Sequence, residues 1–121
     1  AYEAAFAGPA ESPQGVAVWR IVRNGRGEDE LLIVDWLVFA RDRAAGEGLL
    51  ADAAEAALER GIADVRIILP PPAAWFEPLQ DLGFRVHETP WFLCARHRIE
   101  GRTLENLRMY WYYTAADLWL A

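Results

Sequence analysis

The chain has 121 residues, 54% of them hydrophobic, which suits one compact domain with a buried core and is too short for two domains. The formal net charge of −6 argues against a nucleic-acid-binding protein, because such proteins carry a basic face. The single cysteine, Cys94, excludes an internal disulfide and a thiolate zinc cluster. His87 and His97 are the only histidines, so we predict no metal site.

The twelve cationic residues are all arginine, so a Walker A phosphate loop, which needs a lysine, is excluded. No apolar run reaches the length of a membrane span, and the first residues lack the features of a signal peptide. We therefore expect a soluble, cytoplasmic protein that binds neither nucleic acid nor membrane.

The first half of the chain predicts a lead-in, a hairpin and a helix. Residues 1–14 mix Ala, Gly, Pro and Ser without a period, which predicts an extended or loosely held, flexible lead-in. Two β-branched and aromatic runs, at residues 15–24 and 31–40, flank a polar turn and predict a hairpin of long strands. Residues 49–60 are strong helix formers, so we predict a helix that begins at Gly46 and Gly48 and ends at the following glycine.

The second half predicts two strands and another helix. Residues 65–69 form a short apolar run that three prolines stop, which predicts a short strand. Residues 73–84 predict a helix that ends near Gly83, and residues 85–97 predict a further strand. Residues 103–121 predict a short helical start and then an aromatic strand or tail. This order of elements predicts a single α/β domain over residues 15–121 with a mixed sheet.

The glycine pair stands where a strand gives way to a helix, which is a common setting for an anion site. Free backbone amides and the helix dipole attract negative charge there, and Arg41 and Arg43 add to it. Two other interpretations are open. Gly46 and Gly48 could merely shape a turn while Glu47 favours the first helical turn, or the spacing could be the start of a dinucleotide fingerprint. The fingerprint fails downstream, because the next strand is followed by three prolines instead of an acidic residue.

The pattern Arg43-x-x-Gly46-x-Gly48, which follows a long strand and opens a helix, resembles the acyl-CoA pyrophosphate motif of the Gcn5-related N-acetyltransferases (GNAT). Three further features agree with that family. They are the strand end at Leu37 and Val38, the Leu-Gly-Phe sequence that closes the second helix, and the order of strands and helices.

The resemblance covers roughly residues 15–97 and implies an acyl-CoA N-acyltransferase-like fold. That fold is a mixed sheet, with an antiparallel hairpin followed by strand, helix, strand, helix and strand, and with helices on both faces. Residues 1–14 are too few for the strand and helices that family members have ahead of the hairpin. We therefore expect a homodimer or a partner domain to complete the fold around the acceptor.

The resemblance implies that the protein is an acetyl-CoA-dependent N-acetyltransferase that acts on an amine. Backbone amides of Ala44, Gly46, Gly48 and Leu49 would hold the pyrophosphate, and the pantetheine arm would lie along residues 36–38 as one more strand. The residues that the resemblance assigns to acetyl-CoA are Trp36, Leu37, Val38, Arg43, Ala44, Ala45, Gly46, Gly48 and Leu49.

Asp35 lies inside an otherwise apolar strand, where many family members carry an acidic residue, and it is the candidate base that deprotonates the amine. The alternative is a strand-edge carboxylate that faces solvent or pairs with an arginine. A backbone amide near Val38 is the candidate oxyanion donor. The family often has Tyr and Asn in the second helix, where this chain has Leu79 and Pro72. The sequence therefore also allows a non-catalytic acyl-CoA-binding or interaction module, and it does not specify which small-molecule or peptide amine is the acceptor.

Overall fold

The structure, a computed structural model, describes residues 1–89. These residues divide into two compact units, residues 1–68 and the unit that begins at Leu69. The first unit contains a sheet and one long helix, and the described part of the second contains one short helix. No helix within residues 1–89 combines the length and the apolar character that crossing a membrane requires.

The sheet of the first unit has the order β1-β2-β3-β4. The strands are β1 (Glu3–Ala7), β2 (Gly15–Arg23), β3 (Asp29–Val38) and β4 (Val65–Ile67). The β1–β2 and β2–β3 pairs are antiparallel and the β3–β4 pair is parallel. The predicted hairpin and the predicted mixed sheet are therefore confirmed.

Strand β1 corrects the prediction of a loosely held lead-in over residues 1–14. Glu3–Ala7 pairs with β2 in register, from Glu3 opposite Trp19 to Ala7 opposite Gly15. Alanine has a low strand propensity, which is why the sequence did not indicate a strand, but pairing with a long neighbour overrides such propensities. The Glu3 carboxylate also bonds to the Arg60 guanidinium, which ties this strand to the helix described next.

Helix α1 (Arg43–Glu59) packs across one face of the sheet and contacts all four strands. It begins at Arg43, so the prediction that it begins at the glycine pair is wrong. The alanine-rich sequence favours helix strongly enough to include both glycines. Its buried residues recur at helical spacing and form one stripe: Gly46, Leu49, Ala53, Ala56 and Ala57.

The carboxyl end of α1 is closed as the sequence predicted. Gly61 has a φ of +68°, which is the left-handed conformation that glycine adopts most easily. Its N–H donates to the Leu58 carbonyl, and the Ile62 N–H donates to the Ala57 carbonyl. This pair of bonds is a Schellman motif, which fixes where the helix ends and the chain turns towards β4.

Both faces of the sheet carry buried side chains. On the α1 face lie Ala17, Trp19 and Trp36, all buried, along with Gly15 close to Leu49 of the helix. On the opposite face, Leu32, Val34 and Ile68 form a second buried cluster, against which Val18 and Val22 pack. Both faces therefore contribute to the core.

A β-bulge interrupts the pairing of β2 with β3. Val18 is opposite Asp35, but the next residue, Trp19, is opposite Ile33. Val34 is therefore the extra residue of β3, inserted between two regularly paired stretches. As a result, Val34 and Asp35 both lie on the face that carries Val18, and Trp36 returns to the α1 face.

The second unit contains helix α2 (Phe76–Asp81). Pro78 lies in its first turn, where a missing N–H costs no helical hydrogen bond. Gly83 has a φ of +101°. It donates to the Gln80 carbonyl while Phe84 donates to the Leu79 carbonyl. The Leu-Gly-Phe sequence is thus a second Schellman motif, and the predicted helix end near Gly83 is confirmed.

The remaining predictions for the second half of the chain concern residues 85–97 and 103–121. Residues 85–89 are not a strand in the structure. The rest of the strand predicted at residues 85–97, and the tail at residues 103–121, lie outside the described residues.

Candidate functional site

The first turn of α1 is the centre of the predicted anion site, and the structure changes which amides it offers. The Gly46 N–H donates to the Asp42 carbonyl at 3.1 Å, so it is already used within the helix. Gly48 and Leu49 lie further along the same helix, where each N–H pairs with the carbonyl four residues earlier. In an α-helix, only the first N–H groups lack an acceptor inside the helix. Of the four predicted amides, only that of Ala44 occupies that position. The amide of Ala45, another predicted acetyl-CoA residue, occupies it too.

The two glycines therefore have different roles from those the sequence predicted. Gly46 is buried under the helix, facing the sheet. Gly48 is exposed, and a Cβ atom added there would meet no heavy atom within 4 Å. Gly46 thus lies on the buried stripe of the helix. Gly48 leaves open space on the outer side of the helix, where a ligand could approach the backbone.

A groove of about 370 Å³ runs beside this turn. Ala44, Ala45, Gly48 and Leu49 line it on the helix side, with Asp52 further along. On the other side it is lined by the end of β1 and the turn that follows: Phe6, Ala7, Gly8 and Gln14. Of the predicted acetyl-CoA residues of α1, Ala44, Ala45, Gly48 and Leu49 therefore border the groove, and Arg43 and Gly46 are not among the residues that line it.

Gly15 is a buried residue between α1 and the end of β3, and the sequence offered no reason to single it out. A Cβ atom at Gly15 would lie 3.0 Å from Val38 Cγ2 and 3.2 Å from Leu49 Cδ1. Such distances are shorter than ordinary carbon–carbon contacts. The absence of a side chain at Gly15 therefore lets α1 approach the end of β3 closely.

The two arginines near the turn contact neighbouring side chains. Arg43 Nε lies 3.2 Å from Glu47 Oε1, in an exposed ion pair between successive turns of the helix. The Arg41 guanidinium lies over the Phe39 ring, 5.0 Å from its centroid. Exposed ion pairs contribute about 0–1 kcal/mol, so Arg43 can exchange Glu47 for a stronger anion at little cost.

The end of β3 extends past its parallel neighbour. Pairing with β4 runs from Leu31 to Ile33, and β4 ends at Ile67, whereas β3 continues to Val38. The bulge at Val34 marks the point where the two strands part. The predicted pantetheine segment, Trp36, Leu37 and Val38, is the part of β3 that extends beyond β4.

Asp35 lies at the bulge, half-buried, and opposite Val18 on the face away from α1. Its Oδ1 accepts a hydrogen bond of 2.9 Å from the Trp36 N–H, which fixes the carboxylate beside the strand. Within residues 1–89 no ion pair involves Asp35. The alternative of a carboxylate paired with an arginine therefore has no support in the described part of the chain.

The other residues weighed from the sequence lie in the second half of the chain. Leu79 is buried in α2, Pro72 is exposed ahead of that helix, and His87 is exposed. Cys94 and His97 lie outside the described residues. Within residues 1–89, no group of three or more His, Cys, Asp or Glu side chains could hold a metal ion.

Glu30 is a buried charged residue that the sequence pattern did not indicate. The Glu30 side chain is only 5% exposed and pairs with Arg66 at 3.1 Å, joining β3 to β4. Residues 25–30 were assigned to a turn, so nothing in the sequence pattern indicated that Glu30 is buried at the start of a strand.

Several solved structures share this fold. The TTHA1254 protein of Thermus thermophilus, solved as a single-residue mutant, is 26% identical with a TM-score of 0.60, over 78% of this chain and 70% of that one. A putative acetyl transferase from Pyrococcus furiosus is 19% identical with a TM-score of 0.64, over 82% of this chain and 66% of that one. This protein has the fold of the GNAT superfamily.

An acetyltransferase from Trypanosoma brucei also has this GNAT fold, at 26% identity and a TM-score of 0.54, over 72% of this chain and 63% of that one. The sequence matches no family model and no curated protein. The likeness is thus one of structure, and it confirms the predicted acyl-CoA N-acyltransferase-like mixed sheet.

Proposed function

We propose that this protein transfers an acetyl group from acetyl-CoA to an amine. The observation that carries the proposal is the arrangement at the end of β3. There the strand outruns β4 and leads directly into the first turn of α1, within a fold shared with acetyltransferases.

The residues present fit acetyl-CoA. The amides of Ala44 and Ala45, together with the positive end of the α1 dipole, suit the pyrophosphate. Open space beside Gly48 lets a ligand approach the helix. The backbone of residues 36–38 would bind the pantetheine arm. When bound, acetyl-CoA supplies the thioester whose acetyl group is transferred.

Asp35 is the candidate base. An alkyl ammonium has a pKa near 10.4 in water, so the acceptor must lose a proton before its nitrogen can attack a carbonyl carbon. The Asp35 carboxylate accepts a bond from the Trp36 N–H through Oδ1, which leaves Oδ2 to take that proton, directly or through a water. Leu79 offers no acid for the departing thiolate. A thiol with a pKa around 8.5 can leave without one.

The first test is thermal unfolding with acetyl-CoA, with NADH and ATP as comparison ligands. A ligand at about one hundred times its dissociation constant stabilises the folded state by about 2.7 kcal/mol, which raises the midpoint by several degrees in a domain of this size. We expect a shift with acetyl-CoA alone. No shift with acetyl-CoA would contradict the assigned binding residues.

The second test is the Asp35→Asn variant, with Asp29→Asn as a matched control on the same strand. Asp29 is exposed and pairs with Arg23 at the other end of β3. We expect Asp35→Asn to bind acetyl-CoA normally and to lose turnover about 100-fold or more, and Asp29→Asn to keep both. If Asp35→Asn turned over normally, Asp35 would not be the base. Binding without release of free coenzyme A across an amine panel would instead support the non-catalytic module.

A further inference from the structure

The sheet face opposite α1 carries a row of apolar side chains, two exposed and one half-buried, which we call the apolar shelf. It consists of Phe6, Val16 and Leu37, one from each of three adjacent strands. Phe6 is opposite Val16, and Val16 is opposite Leu37, so the three side chains point to the same side of the sheet. Phe6 is 64% and Leu37 is 56% exposed. At about 4.8 Å between strands, the shelf is roughly 10 Å wide.

Asp35 belongs to the next row on the same face. That row is Ala4, Val18 and Asp35, again with one residue from each strand. Two residues along a strand span about 7 Å, so the candidate base lies about that far from the shelf. Asp35 and Leu37 share this face because they are two residues apart on one strand, and the β-bulge before them places both on the face opposite α1.

The negative charge of Asp35 is complementary to a cationic ligand. Arg20, in the neighbouring row, lies over the Tyr2 ring at 5.4 Å from its centroid and donates towards the Tyr2 hydroxyl. It stands on the far side of Asp35 from the shelf. The chain as a whole has a net charge of −6, which raises the local concentration of cationic ligands.

We propose that the apolar shelf binds the apolar substituent of the acceptor, so that the substrate is a primary amine bearing an aromatic or bulky aliphatic group. The nitrogen would lie at Asp35, with the apolar group roughly 5–7 Å away, as the spacing of the two rows requires. This inference rests on the proposed function, which assigns Asp35 as the base.

The size and charge of the surface favour a small ligand over a protein partner. A shelf about 10 Å wide is the size of one ring or branched chain, far below the roughly 800 Å² per partner of a stable protein interface. A protein covering this face would also bury the Asp35 carboxylate. Removing a carboxylate from water without a cationic partner is costly, whereas an amine ligand brings its own cation.

The test compares 2-phenylethylamine with ethanolamine, which lacks the apolar group. The variants are Phe6→Thr and Val16→Thr, because threonine keeps strand propensity. The control is Leu58→Gln, an exposed position on α1. Binding of each amine without acetyl-CoA is followed by NMR titration, and kcat/KM for each amine is measured with acetyl-CoA.

We expect the wild type to bind 2-phenylethylamine more tightly than ethanolamine. Each threonine variant should lower this preference for 2-phenylethylamine about five- to tenfold, both in binding and in kcat/KM. Leu58→Gln should leave the preference unchanged. An equal preference in the wild type and the threonine variants would overturn the shelf proposal even if acetyl transfer to some amine were found. Self-association that Phe6→Thr abolishes would also overturn it, because the face would then be covered by a second copy.

The two proposals fail separately. Amine binding that depends on Phe6 and Val16, in a protein that acetyl-CoA does not stabilise, would support the shelf while contradicting acetyl transfer.

Discussion

Replacing Gly48 with alanine separates the structural role of that position from its proposed role in binding. Gly48 lies in the interior of α1, and alanine is about 1 kcal/mol more favourable than glycine there. The added methyl group would meet no heavy atom within 4 Å, so no clash offsets this gain. We expect the free protein to become more stable by about 0.5–1 kcal/mol, which raises the unfolding midpoint by roughly 2–5 °C.

The same methyl group would occupy the space that a ligand on the first turn of α1 needs. We expect Gly48→Ala to weaken acetyl-CoA binding about tenfold or more, since displacing a ligand by a fraction of an ångström from charge-assisted hydrogen bonds costs more than about 1 kcal/mol. Calorimetric titration with acetyl-CoA and thermal unfolding without it measure the two effects independently.

Gly25→Ala is the matched control for this experiment. Gly25 also has open space around its Cβ position, but it lies in the turn between β2 and β3, far along the sheet from α1's first turn. We expect it to leave acetyl-CoA binding unchanged. A Gly48→Ala protein that is more stable and still binds acetyl-CoA with wild-type affinity would refute the assigned position of the ligand. A less stable protein would refute the helical reasoning itself.

Two further changes test the charges around the site. Arg66→Ala should lower the free energy of unfolding by about 1–2 kcal/mol in chemical denaturation, because it leaves the buried Glu30 carboxylate without its partner. This loss is smaller than that of a fully buried ion pair, because Arg66 is 59% exposed. Glu47→Gln should raise acetyl-CoA affinity about two- to fivefold at physiological salt, because it breaks the Arg43–Glu47 ion pair and removes a negative charge beside the proposed ligand.

Each of these changes has a control. Arg26 pairs with Glu28 in an exposed position, so Arg26→Ala should change stability by less than about 0.5 kcal/mol; an equal loss in both arginine variants would show that the burial of Glu30 is unimportant. Glu55 lies two turns further along α1, about 12 Å from Glu47, so Glu55→Gln should leave affinity unchanged at physiological salt. An equal rise in acetyl-CoA affinity in the two glutamine variants would indicate a general charge effect instead of an effect of the Arg43–Glu47 ion pair.

The sequence predicted the elements of the fold well where local chemistry decides them. The hairpin follows from two β-branched runs around a polar turn, and both helix ends follow from glycines that adopt positive φ, Gly61 and Gly83. It failed at β1 and at the start of α1, because pairing with β2 and the helical preference of the surrounding alanines override the local signals from Ala and Gly.

The candidate site was predicted less completely, because its geometry depends on register and not on residue type. The sequence indicated Asp35 and the first turn of α1, but the choice between amides depends on where the helix begins. The bulge at Val34, which decides the face on which Asp35 lies, follows from pairing between two strands. A single strand's sequence does not contain that information.

Gly15 has no functional group, yet it limits which substitutions are possible beside the candidate binding site. Any larger residue there would push apart Val38 and Leu49, one at the end of β3 and the other in the helix whose first turn faces the proposed ligand. Substitution at this position would therefore change the spacing between α1 and the end of β3, where we propose that acetyl-CoA binds, while leaving every charged or hydrogen-bonding group intact. In that proposal, acceptor specificity can evolve through the exposed residues of the sheet, whereas residue 15 restricts the spacing on the cofactor side.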